Sequence, residues 1–149
     1  MKSTLKLAWL GSIVGLVIGS NTFAQGEDFL SLSQEAESRG DNQAAIQLYQ
    51  SAIIYAPAMI EPYLGIAEFY AVNVQPDLAE KYFNIALELD PANPSALMGL
   101  ALLALNQDEV ESAEARHEIL VSACAPACPE AAELRAAIIA YGASAMAVD

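Results

Sequence analysis

The feature that most constrains this chain is a recurrence of side-chain class every 34 residues. Phe29, Tyr63 and Leu97 form one series, and Leu32, Ile66 and Leu100 a second. Ser33, Ala67 and Ala101, all small, form a third, and Ala36, Tyr70 and Ala104 a fourth. The same period continues through Ala45, Ala79 and Ala113, then Tyr49, Phe83 and His117, then Ala52, Ala86 and Leu120. Pro57 and Pro91 close the first two units; Ala125 stands in that slot of the third, with Pro126 one residue late. A fixed period of this length means stacked copies of one supersecondary unit, because a unit so small cannot bury its apolar face without a neighbour.

Each unit reads as a pair of helices. The sequence is rich in Ala, Leu, Ile and Glu with few adjacent β-branched residues, so helix propensity is high almost throughout. Breakers punctuate it at Gly40-Asp41-Asn42, Pro57, Asn73 to Pro76, Pro91 to Pro94, Asn106 to Asp108 and Pro126 to Pro129. They leave segments of about 11 to 15 residues, three to four helical turns each. Pro76 and Pro94 fall where a first turn accepts proline, since N–H groups there have no intrahelical partner, and Asn93 is placed to cap the helix that Pro94 opens.

The pattern resembles the tetratricopeptide repeat (TPR): a large aromatic, an apolar residue and then a small one, an aromatic, a close-packed Ala, another aromatic, a second Ala and a closing Pro. The second unit matches at every slot, with Tyr63, Ile66, Ala67, Tyr70, Ala79, Phe83, Ala86 and Pro91. The first departs at Ser33 and Ala36, and the third at Leu97, Ala104 and His117. The resemblance implies an all-α fold, an α-solenoid of three helix-turn-helix repeats over 26–59, 60–93 and 94–127. A capping helix is expected over 128–142, where Ala131, Leu134, Ala137, Ile138 and Tyr141 make an apolar stripe, followed by a tail over 143–149.

The beginning of the chain carries a different signal. Lys2 and Lys6 precede an uncharged, mostly apolar run from Leu7 to Gly19, and Thr22-Phe23-Ala24 places small residues where a signal peptidase reads them. This layout is expected of a secretory signal over 1–24, cleaved before Gln25, with the mature protein in a bacterial periplasm or outside the cell. The run is shorter than the roughly 20 residues of a bilayer-spanning helix; counting on to Ala24 leaves an uncleaved inner-membrane anchor as the alternative.

Charge narrows the partners. The whole chain carries 6 cationic and 19 anionic side chains. Without Lys2 and Lys6 the cations are Arg39, Lys81, Arg116 and Arg135, a net charge of −15. Such a surface repels phosphate backbones and anionic lipid heads, so no nucleic-acid or peripheral membrane partner is expected. A basic or neutral protein partner is favoured; the acidity also serves solubility.

In proteins of this type the first helices of the units line a concave groove. The resemblance places Glu27, Leu30, Gln34 and Glu37 there from the first unit, Glu61, Leu64, Glu68 and Val72 from the second, and Met98, Leu102 and Leu105 from the third. The groove is then acidic at one end and apolar at the other, lacking the cations with which some family members clamp a C-terminal carboxylate, and its complement is a peptide with a basic half and an apolar half. The alternative for Met98, Leu102 and Leu105 is cover by the capping helix or by self-association.

Cys124 and Cys128 lie between the third unit and the capping helix. In an oxidising compartment a disulfide is expected, contributing about 2 kcal/mol by loop closure and fixing the docking angle of the cap. The run Cys-x3-Cys-Pro also resembles the copper site of thioredoxin-fold assembly factors for cytochrome oxidase, which makes a copper-binding or redox accessory protein the alternative function; His117 is the only histidine that could complete it. Catalysis finds no constellation: there is a single His, no Gly-rich phosphate loop and no His-Glu-x-x-His. The expectation is a non-catalytic protein-interaction module, without cofactor or metal.

Overall fold

The computed structural model describes residues 14–123 and 128–146, with side chains from Thr22 to Ala123 and from Cys128 to Ala145. The described residues form α1 (Val14–Ser38), α2 (Asn42–Tyr55), α3 (Glu61–Val72), α4 (Pro76–Leu89), α5 (Pro94–Asn106), α6 (Val110–Ala123) and α7 (Pro129–Met146). They contain no strand. The fold is all-α, an α-solenoid of helix-turn-helix pairs followed by a terminal helix.

Local chemistry places the helix ends. Asp41 caps α2 by accepting the Ala44 N–H at 3.2 Å, and Asn93 caps α5 by accepting the Ala96 N–H at 3.1 Å. Pro76 and Pro94 open α4 and α5, as the sequence led us to expect. The first helix of each pair ends in the same way, on a residue with left-handed backbone: Gly40 (φ 75°), Val74 (φ 56°) and Asp108 (φ 63°). In each case the following N–H reaches back to the carbonyl five residues earlier, Asp41 to Ala36, Gln75 to Tyr70 and Glu109 to Ala104, each at 2.9 Å. This is the Schellman closure, and it satisfies carbonyls that a helix end leaves without partners. Only the first of these three positions carries glycine.

The chain divides into two compact units, Met1–Pro57 and Ala58–Asp149. In the first, α1 packs antiparallel on α2 through Ser33, Ala36, Ala45 and Ala52, all buried. Small side chains here let the two backbones approach; a β-carbon at Gly26 would stand only 2.5 Å from Ala56 Cβ. Ser33 takes the small slot without leaving its hydroxyl unsatisfied, because Oγ donates to the Leu30 carbonyl at 2.6 Å. Phe29 stacks on Tyr55, with ring centroids 5.4 Å apart. Leu32, grouped with Ile66 and Leu100 by the repeat period, is 47% exposed whereas both of those are buried.

In the second unit α3 pairs with α4 and α5 with α6, and α5 also contacts α3, α4 and α7. Tyr63, Ile66, Ala67, Ala79, Phe83 and Ala86 are buried in the first pair. The second pair and α7 share a core of Leu97, Ala101, Ala104, Leu105, Ala113, Leu120, Ala131 and Leu134. Burying each Leu contributes about 1.5–3 kcal/mol, and Leu134 is the side chain of α7 that is wholly enclosed. Ala137, Ile138 and Tyr141 flank it as partly buried contacts, in keeping with the apolar stripe.

One expectation changes, at the end of α7. The helix drawn for the third unit's cover extends through Gly142 to Met146, where a tail was expected from residue 143, because Ala143, Ser144 and Ala145 continue the helical hydrogen bonding with nothing to break it. α1, described from Val14, is continuous through residues 24 and 25. Thr22 to Gln25 are exposed and Gly26 is the first buried residue among the described side chains. Among the described residues, no helix is long and apolar enough to cross a membrane.

Candidate functional site

A depression of about 420 Å³ opens on the second unit between α3 and α5. Its volume lies within the range of about 300–1,000 Å³ typical of ligand pockets. Ala71 and Val72 of α3 and Met98, Leu102 and Leu103 of α5 supply apolar walls; Phe83 of α4 forms part of the lining, next to Gly99 of α5. Ser95 and Asn106 add neutral polar groups, and Glu68 and Glu130 add carboxylates.

Helical spacing explains the set. Glu68 and Val72 are four residues apart on α3, and Ser95, Met98, Leu102 and Asn106 recur at three- and four-residue steps on α5, so each helix turns one stripe toward the depression. Gly99 makes the fit between α4 and α5 possible, since a β-carbon there would lie 2.2 Å from Phe83 Cζ. Glu130, in the first turn of α7, is held by Cys128, whose Sγ–H donates to its Oε2 at 3.3 Å.

Of the residues expected to line a groove, Glu68, Val72, Met98 and Leu102 therefore share this depression. Val72 is 82% exposed and Leu102 38%. Leu105 does not join them. It is 5% exposed and packs in the core with Leu120, Ala131 and Leu134, because α7 covers the side of α5 that carries it. Glu61 is exposed and Leu64 half-buried on α3, outside the lining. On the first unit, Glu27 and Gln34 are exposed and Leu30 half-buried. Glu37 is engaged within that unit, where its Oε2 accepts from Tyr49 Oη at 2.8 Å.

Ala71, Phe83, Ser95, Gly99, Leu103, Asn106 and Glu130 line the depression without being among the expected site residues. Phe83 and Glu130 lie on α4 and α7, outside the first helices to which the groove was confined, and only the packing brings them to its edge. A second aromatic group lies on α3 and α4: Tyr70 stacks on Tyr82 at 5.9 Å, Phe69 meets Tyr70 edge-on at 5.5 Å, and Lys81 Nζ sits 5.5 Å over the Tyr82 ring. Burial, and secondarily the neighbouring Tyr82, pushes the Tyr63 phenol above its ordinary value.

The chemistry expected of the cysteines is only partly visible. Cys124 lies outside the described residues, and with it the expected disulfide. Cys128 carries a free thiol, half-buried against the core of α5 to α7. His117 is half-buried on α6. Among the described residues no group of His, Cys, Asp and Glu is placed to hold a metal ion. Near the end of α7, Tyr141 Oη donates to Asp108 Oδ1 in the turn between α5 and α6. That hydrogen bond, then burial and the carboxylate's charge, raises the Tyr141 phenol above its ordinary value.

Comparison with known proteins agrees with this architecture. No curated protein matches the sequence. Among solved structures the chain is similar to the first TPR of Spaghetti (RPAP3) bound to the HSP90 peptide SRMEEVD, with 20% identity over 81% of this chain and 95% of that one and a TM-score of 0.69. It is also similar to the Yersinia enterocolitica type III secretion chaperone SycD in complex with a peptide of the translocator YopD, with 21% identity, 77% and 87% coverage and a TM-score of 0.66. The Sgt2 TPR domain from Aspergillus fumigatus matches with 21% identity, 81% and 79% coverage and a TM-score of 0.68. At these identities the likeness is one of fold. The family model for the cilia and flagella-associated protein 70 middle TPR-like domain matches residues 29–147. With most of its length spanned by that model and its helices paired as the repeat requires, the chain belongs to this TPR-like family.

Proposed function

We propose that this protein is a non-catalytic, exported interaction module that holds a peptide segment of another protein, and that the depression between α3 and α5 is its working surface. The observation that carries the reading is the combination of exposed Val72 and Leu102 and partly buried Met98 with carboxylates from Glu68 and Glu130 in one concavity. Concave apolar surfaces with a few polar groups are where proteins bind ligands, and an exposed apolar patch that stays open has a partner to meet. The solved relatives support a peptide as the ligand class, since the TPR of Spaghetti is bound to an HSP90 peptide and SycD to a YopD peptide. No cation lines the depression among the described residues, so the acidic residues of a peptide such as SRMEEVD would find no counter-charge here.

Export is supported by the arrangement of Lys2, Lys6, the apolar run and Ala24. Amino-terminal sequencing of the protein recovered from a periplasmic fraction should begin at Gln25; a start at Met1 in a membrane fraction supports the anchored alternative instead.

The binding reading is tested by pull-down with wild type beside Leu102→Arg. Leu102 is partly exposed, so the charge is tolerated by the fold but obstructs the depression. A partner retained by wild type and lost by the variant, with unchanged circular dichroism, supports the reading. Equal capture by both removes the depression as the working surface.

A further inference from the structure

We propose that the depression of the second unit is a socket for one large apolar side chain carried on a basic stretch of the partner, an inference that rests on reading this unit as a peptide-holding surface. Three observations converge on it. The walls are apolar on both sides, Val72 from α3 and Met98 and Leu102 from α5, with the buried ring of Phe83 packed against Gly99 beneath them. Leaving these groups in water is unfavourable, and an aromatic or branched aliphatic side chain inserted between them removes that exposure.

The charged groups lining the depression are of one sign. Glu68 enters from α3 and Glu130 from α7, so an inserted chain passes carboxylates contributed by two different helices. Glu130 Oε2 also accepts a weak hydrogen bond from the Cys128 thiol. A Lys or Arg adjacent to the inserted side chain is attracted by this pair, whereas an Asp or Glu in the same place is repelled by it. The rest of the chain reinforces the selection, with 19 carboxylates against 6 cationic side chains.

The test uses fluorescence anisotropy with labelled synthetic peptides and the folded protein. One probe has a central tryptophan flanked on each side by leucine and then lysine; a second replaces each lysine by glutamate; a third replaces the tryptophan and both leucines by serine. The lysine probe should bind about tenfold more tightly than the glutamate probe at low salt, the exchange of exposed attractions for repulsions. The preference should shrink as salt screens it, and should largely vanish in Glu68→Gln combined with Glu130→Gln. The serine probe should bind weakly or not at all.

Equal affinity for lysine and glutamate probes, or a preference unchanged in the double variant, overturns the charge selection; if Leu102→Arg still abolishes binding, the peptide-holding reading stands without it. Equal binding of the serine probe overturns the apolar socket. Failure of every probe overturns the inference as well, and the pull-down with Leu102→Arg then decides the broader reading separately.

Discussion

Gly99 and Phe83 are in contact across the α4–α5 junction so closely that a β-carbon on Gly99 would stand 2.2 Å from Phe83 Cζ and 2.6 Å from both Cε atoms. The ring is itself buried, so it yields to an added β-carbon only by shifting toward the depression that it lines. Gly99→Ala is therefore expected to cost about 1–3 kcal/mol through overpacking, although alanine is the better helix former. Urea unfolding measures it. Because both residues line the depression, peptide affinity should fall with stability, and a variant of unchanged midpoint would contradict the contact.

Val74 holds the left-handed turn position that Gly40 and Asp108 hold in the other repeats, with its side chain 84% exposed. A β-branched residue there is strained by about 1–3 kcal/mol, and nothing packed is lost on removing it. Val74→Gly should stabilise the protein by about 1 kcal/mol after the added entropy of the unfolded chain is subtracted. Gly40→Ala should destabilise it by a similar amount, about 1 kcal/mol. Thermal melts of the two variants should move in opposite directions.

Leu134 attaches α7 to the rest of the second unit. Its side chain is fully buried among Leu97, Leu105 and Leu120, so Leu134→Ala should cost about 2–5 kcal/mol. Hydrogen exchange should show the loss first in α7, while the amides of α3 and α4 remain protected. Uniform loss of protection across the unit would mean that α7 does not open independently.

Tyr141 gives the protein a specific sensitivity to alkali. Its phenol is favoured in the protonated form by donating to Asp108, so the folded state binds that proton more tightly than the unfolded state does. The contribution is fully present below the ordinary phenol value of 10.0 and is lost as pH rises above it. Tyr63, also raised, adds to the same trend. Melting temperatures followed upward from pH 9 should fall more steeply in wild type than in Tyr141→Phe, and parallel curves would remove this bond from the account.

Much of the architecture was legible in the sequence because it depends on local chemistry and on period. Asn93, Pro94 and Pro76 act on backbone groups within a turn of themselves, and they mark helix starts whatever surrounds them. The Ala series at 45, 79 and 113 and at 52, 86 and, with Leu, 120 is buried throughout, since the close approach of two helices admits little else. Glu68, Val72, Met98 and Leu102, which the resemblance to the tetratricopeptide repeat assigned to a groove, share one depression.

What required the tertiary structure was every property set by a neighbour distant in sequence. Leu102 and Leu105 stand three residues apart in the same apolar stretch, yet α7 encloses Leu105 and leaves Leu102 partly exposed. Glu37 reads as a groove carboxylate until Tyr49, twelve residues away, takes its oxygen. Phe83 and Glu130 come to the depression from helices outside the repeat's first-helix pattern, and the left-handed turn at Val74 contradicts the preference of valine itself. By itself the sequence determined which segments are helices and which residues are small enough to let them meet, because those are interactions over a few residues or a fixed period. Which apolar side chains stay open to a partner, and which carboxylates stand beside them, was decided by how the helices pack, because exposure and charge environment belong to the surroundings of a residue and not to the residue.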